Sequence, residues 1–257
     1  MTASTLHRLA VLAMLLGLTA AATDYCKLCS DHVLCKHPTS KPGAACKSYV
    51  GPTISNSDKD LIVRLHNEYR NKVALGQEKR GKNHPQPSAS NMRKIVWDNE
   101  LATFAQRWAD QCTFEHDTCH TTADGTVSGQ NLLSGGLAPN QKKPDWANAI
   151  KIWYDEVAAR DGSLNTKPFK VDNTFMDVGH FTQLAWANTY AVGCGYSTYR
   201  AGSGSAPDTQ LVVCDYKPSG NFEGDVVYEG GAPASKCPAG TSKDKTYPGL
   251  CAAASSG

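Results

Sequence analysis

Ten cysteines follow one short apolar run near the start of a 257-residue chain: Cys26, Cys29, Cys35, Cys46, Cys112, Cys119, Cys194, Cys214, Cys237 and Cys251. This arrangement constrains the fold more than any other feature. The run, Leu9 to Ala22, follows a single arginine, Arg8, and is shorter than the roughly 20 residues needed to cross a bilayer. Ala20 and Ala22 supply an A-x-A cleavage pattern, so residues 1–22 read as a secretory signal peptide and the product as extracellular, with no transmembrane anchor. An even cysteine count in a secreted chain implies a disulfide framework. Zinc is the competing reading. Cys26-x-x-Cys29 has ligand spacing, but no second close pair completes a tetrahedral site. A free catalytic thiol conflicts with an oxidising compartment.

After cleavage about 235 residues remain, enough for one large domain or two small ones. The formal charge is +2, with both signs spread along the chain. No basic run points to nucleic acid, and no polybasic helix to a membrane surface. The sequence holds no N-glycosylation sequon.

Residues 23–56 carry four cysteines and little apolar periodicity, so they must be stapled onto a core built elsewhere. A first long helix is predicted from the spacing of Ser57 and Asp60, with Leu61, Leu65, Tyr69 and Val73 recurring every four residues and Gly76 ending it. Asp98 starts a second helix, with Leu101, Phe104, Ala105, Trp108 and Cys112 on one stripe. Thr113 to Pro144 is polar and glycine-rich and reads mostly as loop; within it Asn131–Pro139 mixes apolar residues with glycine, as a mobile lid would. Trp146, Ile150, Trp153, Tyr154 and Val157 mark a third helix, and Val178 to Asn188 a short fourth. The period then changes to two. "AVGCGYSTY" and "TQLVVCDY" flank a turn-rich segment centred on Gly204, and a hairpin there sets Cys194 opposite Cys214. After Asn221 the apolar pattern fades; residues 225–257 form an extension in which Cys237 and Cys251 close a loop, a constraint of about 3 kcal/mol in the chain-entropy view. Helices followed by a hairpin give an α+β class, a sheet covered by helices. Phe181, Leu184 and Trp186 read as core, His66 and Arg70 as an ordinary pair one helical turn apart. Tyr216, Pro218 and Asn221 read as a strand exit with a turn, and His84 and His120 as loop residues without a specific task.

Four stretches then resemble one family. "HNEYR" (His66–Arg70), "GQNL" (Gly129–Leu132), "GHFTQLAWANT" (Gly179–Thr189) and "LVVCDYKPSGNF" (Leu211–Phe222) are similar to the signatures of the CAP superfamily of cysteine-rich secretory, antigen 5 and pathogenesis-related proteins. The resemblance covers roughly residues 57–224. "DYCKLC" and "CTFEHDTC" resemble the antigen 5 branch of arthropod venom and saliva. Two positions depart from the pattern. Gln130 stands where many members carry Glu, and Asp215 where the family usually has Asn, Gln, Arg, His or Ser.

The resemblance implies a disulfide-stabilised three-layer α-β-α sandwich. It implies the pairs Cys26–Cys35, Cys29–Cys119, Cys46–Cys112 and Cys194–Cys214, with Cys237–Cys251 remaining. Spacing alone leaves on the order of a thousand pairings; only Cys194–Cys214 has independent support. It implies a central cleft at His116, Gln130, Glu156 and His180, with His66, Asn67, Arg70, Asn131, Tyr216 and Asn221 as scaffold. An amide at position 130 cannot act as a general base but still donates and accepts hydrogen bonds. Two imidazoles suit zinc or copper weakly, as a non-obligatory ion at His116 and His180. The expected role is extracellular binding, as a monomer, of a small hydrophobic or lipid ligand, a metal, or a host or prey protein, with allergenicity implied by the family. The competing classes are a weak metal-dependent redox enzyme, a hydrolase in which Ser128 or Ser134 joins a histidine and Glu156, and a channel or receptor blocker. No G-x-S-x-G or H-E-x-x-H motif supports hydrolysis. The two C-terminal cysteines are too few for the separate cysteine-dense domain of blocking toxins.

Overall fold

A computed structural model describes residues 23–51, 54–138, 141–205 and 207–254; the signal segment lies outside them. Two one-turn helices, α1 (Tyr25–Leu28) and α2 (Val33–Lys36), precede strand β1 (Lys47–Val50) and the long helix α3 (Asn56–Ala74). Strand β2 (Val96–Trp97), helix α4 (Asn99–Ala109), strand β3 (Gly129–Gly136) and helix α5 (Trp146–Asp155) follow. Three 3-10 turns, Glu156–Ala158, Gly162–Leu164 and Phe175–Asp177, lead to helix α6 (Gly179–Ala185). Strands β4 (Ala191–Arg200) and β5 (Thr209–Lys217) form the central hairpin, and β6 (Thr241–Lys243) and β7 (Cys251–Ala253) a small ribbon near the C-terminus.

The main sheet runs β1-β4-β5-β3, with β2 parallel to one end of β4. Its two faces are covered differently. Val192, Cys194, Tyr196, Val212, Cys214 and Tyr216 share a core with α3, α5 and α6. The alternate residues Leu211 and Val213 pack with Ala105 and Ala109 of α4. Strand alternation thus feeds two helical layers from one sheet, a three-layer α-β-α sandwich of the α+β class. Gly193 and Gly195 permit the close seat of α4: an added Cβ would lie 2.1 Å from the Ala102 nitrogen and 2.4 Å from Gln106 Cα. Cys194 and Cys214 are opposed in the hairpin and bonded. Disulfides also join Cys26–Cys35, Cys29–Cys119, Cys46–Cys112 and Cys237–Cys251.

Several expectations change in the folded chain. The cap of α3 is Ser55, not Ser57: the Asp58 amide donates to the Ser55 hydroxyl, and the Ser55 amide donates to Asp58. Both pairs have capping-box spacing; Asp58 wins by also receiving the Lys143 ammonium at 2.8 Å. The lid expected from Asn131 to Pro139, whose last residue lies outside the described ones, is not found at its start. Gly129–Gly136 is a strand paired along its length with β5. Its three glycines and small polar residues hid the β pattern, which an edge strand does not need in full. The C-terminal extension adds to the main core, where Val227, Tyr228 and Leu250 are fully buried.

His66 and Arg70 are not a side-chain pair. Both are fully buried and serve different partners. His66 Nδ1–H donates to the Ile62 carbonyl at 2.7 Å, and Nε2 accepts from the Tyr216 hydroxyl at 2.9 Å. Burial depresses its pKa to about 4, so it remains neutral. Asn67 brackets Ile95, donating to its carbonyl and accepting from its amide. Arg70 spends its whole guanidinium on backbone carbonyls. Nε and Nη2 donate to Arg93, Nη1 to Leu184 and Trp186, and Nη2 also to Ala187 and Thr189. One α3 side chain therefore fixes both the approach to β2 and the exit of α6. Replacing Arg70→Met strips Arg93 and Leu184 of a charged donor. It should lower Tm by on the order of 10 °C in a thermal melt, since each orphaned buried carbonyl costs about 1 kcal/mol or more. A melt shifted by only a degree or two would show that these bonds are not what holds α6.

Candidate functional site

The site forms where α5 gives way to its 3-10 turn and α6 begins. Glu156 opens that turn and directs its carboxylate at the start of α6. Oε2 accepts the backbone N–H groups of His180 at 2.9 Å and Phe181 at 3.0 Å. Oε1 lies 2.5 Å from His180 Nδ1. A carboxylate partner makes Nδ1 the donor, so the neutral imidazole keeps its lone pair on Nε2. The indole of Trp153 lies nearly parallel to the ring, 6.1 Å away. Asn131 donates to the His180 carbonyl at 3.1 Å, and Asn221 to the Gly179 carbonyl at 3.0 Å. Asn221 itself has a left-handed backbone, φ 59°, which asparagine tolerates at a turn.

His116 arrives from the other side of the sheet. It stands in a short segment between Cys112 and Cys119, each held by a disulfide to the N-terminal segment. Its Nδ1 meets Gln130 Oε1 at 2.9 Å. The Gln130 amide is committed elsewhere: Nε2 donates to Asp117 at 3.1 Å and Asp215 at 3.0 Å. Its oxygen must then accept, so His116 also presents Nδ1–H backwards and keeps Nε2 free.

A cavity of about 80 Å³ brings the two rings together. His116, Gln130, Asn131, Gly179, His180 and Asn221 line it, with Phe175 and Met176 as its apolar wall. The cavity straddles the free edge of β3, because Gln130 and Asn131 alternate to opposite faces. Glu156 does not line it and acts behind His180. Ser128 and Ser134 do not line it either; the Ser128 hydroxyl donates to the His120 carbonyl. Among the described residues, no group of three His, Cys, Asp or Glu side chains is placed to hold a metal ion. The donor set therefore fits a weak, two-imidazole ion and not a closed structural metal site. The volume falls well below the ~300 Å³ at which pockets enclose organic ligands.

Sequence reasoning missed a group behind Gln130. Asp215 is the cross-strand partner of Gln130 in the β3–β5 register and is fully buried. The carboxylate expected at position 130 is thus supplied from the adjacent strand. Asp117 is buried beside it and pairs with His120, which is not an idle loop residue. Burial works against protonation of His120, but the bond to Asp117 and the charges of Asp215 and Asp117 prevail and raise its pKa to about 9. Burial favours the proton on Asp215 and raises its pKa far above the carboxylate range, with the charge of His120 opposing and that of Asp117 adding. One oxygen each of Asp117 and Asp215 has no hydrogen-bond partner among the described residues. The signal was the unusual Asp215; its meaning needed the strand register.

Residues 63–216 match the cysteine-rich secretory protein family, CAP. Venom allergen 3 of Solenopsis invicta is 40% identical over 81% of this chain and 90% of its own length. Venom allergen 5 of Dolichovespula arenaria is 41% identical over 80% of this chain and 98% of its own. Among solved structures, NaASP2 with Zn2+ is 31% identical with a TM-score of 0.61, covering 77% of this chain and 96% of that one. BmVAL-1 is 28% identical with a TM-score of 0.63, covering 79% and 97%.

The buried carboxyl makes a signed prediction. Folded Asp215 holds a proton at pH values where the unfolded chain, titrating near 4, has released it. Its contribution to stability is therefore full below the unfolded pKa and is lost as pH rises towards the folded one. The stability of Asp215→Asn relative to the natural chain should increase from pH 5 to pH 8 in denaturant titrations. A constant or shrinking difference would contradict this protonation.

Proposed function

This chain belongs to the CAP family of cysteine-rich secretory proteins, as an antigen 5-like member, and from that premise we propose that it is secreted and acts outside the cell by binding. The setting its relatives' names suggest is venom; saliva is the other setting we consider, with a host or prey protein as partner and allergenicity as a consequence. Within the chain, the central cleft binds a divalent transition ion, zinc or copper, through His116 and His180. One observation carries this: two imidazoles line one small cavity with both Nδ1 atoms tied back, His116 to Gln130 and His180 to Glu156. That leaves two Nε2 donors facing the same space, and imidazole nitrogen suits both ions. The hydrogen bonds behind the rings fix their tautomer and raise their basicity. NaASP2, solved with Zn2+, supports the reading. When bound, the ion supplies a positive charge with coordination positions open to an outside ligand. Asn131 and Asn221 position His180; Asp117 and Asp215 hold the Gln130 amide.

Catalysis gains less support. Among the described residues the lining offers no hydroxyl or thiol nucleophile, and an ion with two protein ligands is loosely held. A lipid in this cleft is likewise disfavoured by its volume. Zinc calorimetry on the chelator-stripped protein should show one weak saturable site. His116→Asn and His180→Asn should each abolish it while the thermal melt is retained. Glu156→Gln should weaken it by about tenfold or more through its hold on His180. Zinc binding unchanged in both histidine variants, or none in the natural chain, would remove the metal reading.

A further inference from the structure

A second cavity, about 390 Å³, lies away from the central cleft and is lined by Arg160, Leu164, Lys167, Pro168, Lys170 and Asp172. Its floor is an arginine held in an unusual state. Arg160 is 6% exposed. Its Nε donates to Asn165 Oδ1 at 2.8 Å, and its guanidinium lies 5.4 Å from the Phe169 ring centre. Asn165 is fully buried and is itself fixed by Gln86 and Tyr228. The orientation of Arg160 is therefore set from behind. Its two terminal nitrogens carry no hydrogen bond among the described residues, and it is in no ion pair. Arg70 shows the contrast: fully buried, it gives every nitrogen to a carbonyl.

The rim adds charge of the same sign. Lys167 and Lys170 are exposed and unpaired among the described residues. Asp172 is the one anion in the lining; its Oδ1 accepts the Thr174 amide and hydroxyl, and its charge is felt by Arg160 and Lys170. Nearby Asp161 is committed to Asn83, His84 and the Ser163 amide. The loop is pinned by backbone bonds, Phe169 N–H to Asp225 at 2.6 Å and Gly224 N–H to Phe169 at 3.0 Å, so the rim is preformed. Three cations against one anion leave a charge of about +2 in the lining, which a phosphate monoester, close to −2 at neutral pH, matches. The free guanidinium fork suits two phosphate oxygens. Leu164 and Pro168 give the ester's organic group an apolar wall, and the volume is that of a small-molecule site.

We propose that this cavity binds a phosphate monoester, with Arg160 gripping the phosphate, Lys167 and Lys170 closing over it, and Asp172 restraining its affinity. The test is calorimetric titration of the intact secreted chain with phenyl phosphate. The expected result is one saturable site that binds phenyl phosphate more tightly than inorganic phosphate. The double variant Lys167→Gln/Lys170→Gln, on the surface and neutral to the fold, should weaken it by about tenfold. Asp172→Asn should tighten it. Arg160→Lys should lose the site, judged only if its melt is unchanged; the lysine pair and Asp172→Asn keep the test decisive otherwise. Sedimentation with phosphatidylcholine vesicles, with and without phosphatidic acid, then separates the sources. Pull-down by phosphatidic acid that falls in the lysine variant assigns the ester to a lipid headgroup, and its absence assigns it to a soluble ester. No saturable phenyl phosphate binding, binding untouched by the lysine and Asp172 variants, or binding lost instead in His116→Asn would overturn the proposal.

Discussion

Arg70 is the interaction on which the rest of the structure depends. A fully buried guanidinium is expensive to desolvate, and this chain offsets the cost with backbone carbonyls rather than a carboxylate. Those carbonyls belong to the approach to β2, to the last turn of α6 and to the residues that follow it. A helix of seven residues, Gly179–Ala185, has little stability of its own. Arg70 anchors its end and Glu156 its beginning. His180 is therefore placed by two charged groups reaching from different elements, a fully buried Arg70 and a half-buried Glu156, which is a stability device and a positioning device at once.

The opposite half of the cleft is built by another route. His116 has no helix beneath it. Disulfides on either side deliver its segment to the sheet edge, and Gln130 then orients the ring. The amide suits that task because it faces acids on one side and an imidazole on the other. Asp117 and Asp215 take its N–H groups and leave its oxygen for His116. A glutamate at 130 would set a third carboxylate against two buried ones. The two departures from the family pattern, Gln130 and Asp215, are thus one compensated change across a strand pair.

Much of this was legible in the sequence. The period-four stripes of α3, α4 and α5 and the symmetric hairpin around Gly204 follow from apolar spacing. The family resemblance named His116, Gln130, Glu156 and His180 as one cleft; in the folded chain three of them line one cavity and Glu156 stands behind His180. What stayed hidden is instructive. β3 was invisible because Gly129, Gly135 and Gly136 dilute its β pattern and strand pairing is non-local. Arg70 read as one half of an ordinary helical pair with His66 because its true partners are carbonyls, which carry no sequence signal. The role of Asp215 depends on register, and His120 was set aside because nothing in "CHTTADG" reveals Asp117 folding back on it. The N-cap of α3 was ambiguous between two correctly spaced pairs, and a distant lysine decided it.

The central claim is that the cleft presents two preset imidazoles with both Nε2 lone pairs turned inward. Nitrogen-15 correlation spectra of the histidine rings test it most directly, recorded without metal at a pH where both rings are neutral. The account predicts that His116 and His180 are both in the Nδ1–H tautomer, the opposite of the form favoured by free imidazole side chains. A spectrum showing Nε2–H on either ring would contradict it, because that ring would offer the cavity a proton instead of a lone pair.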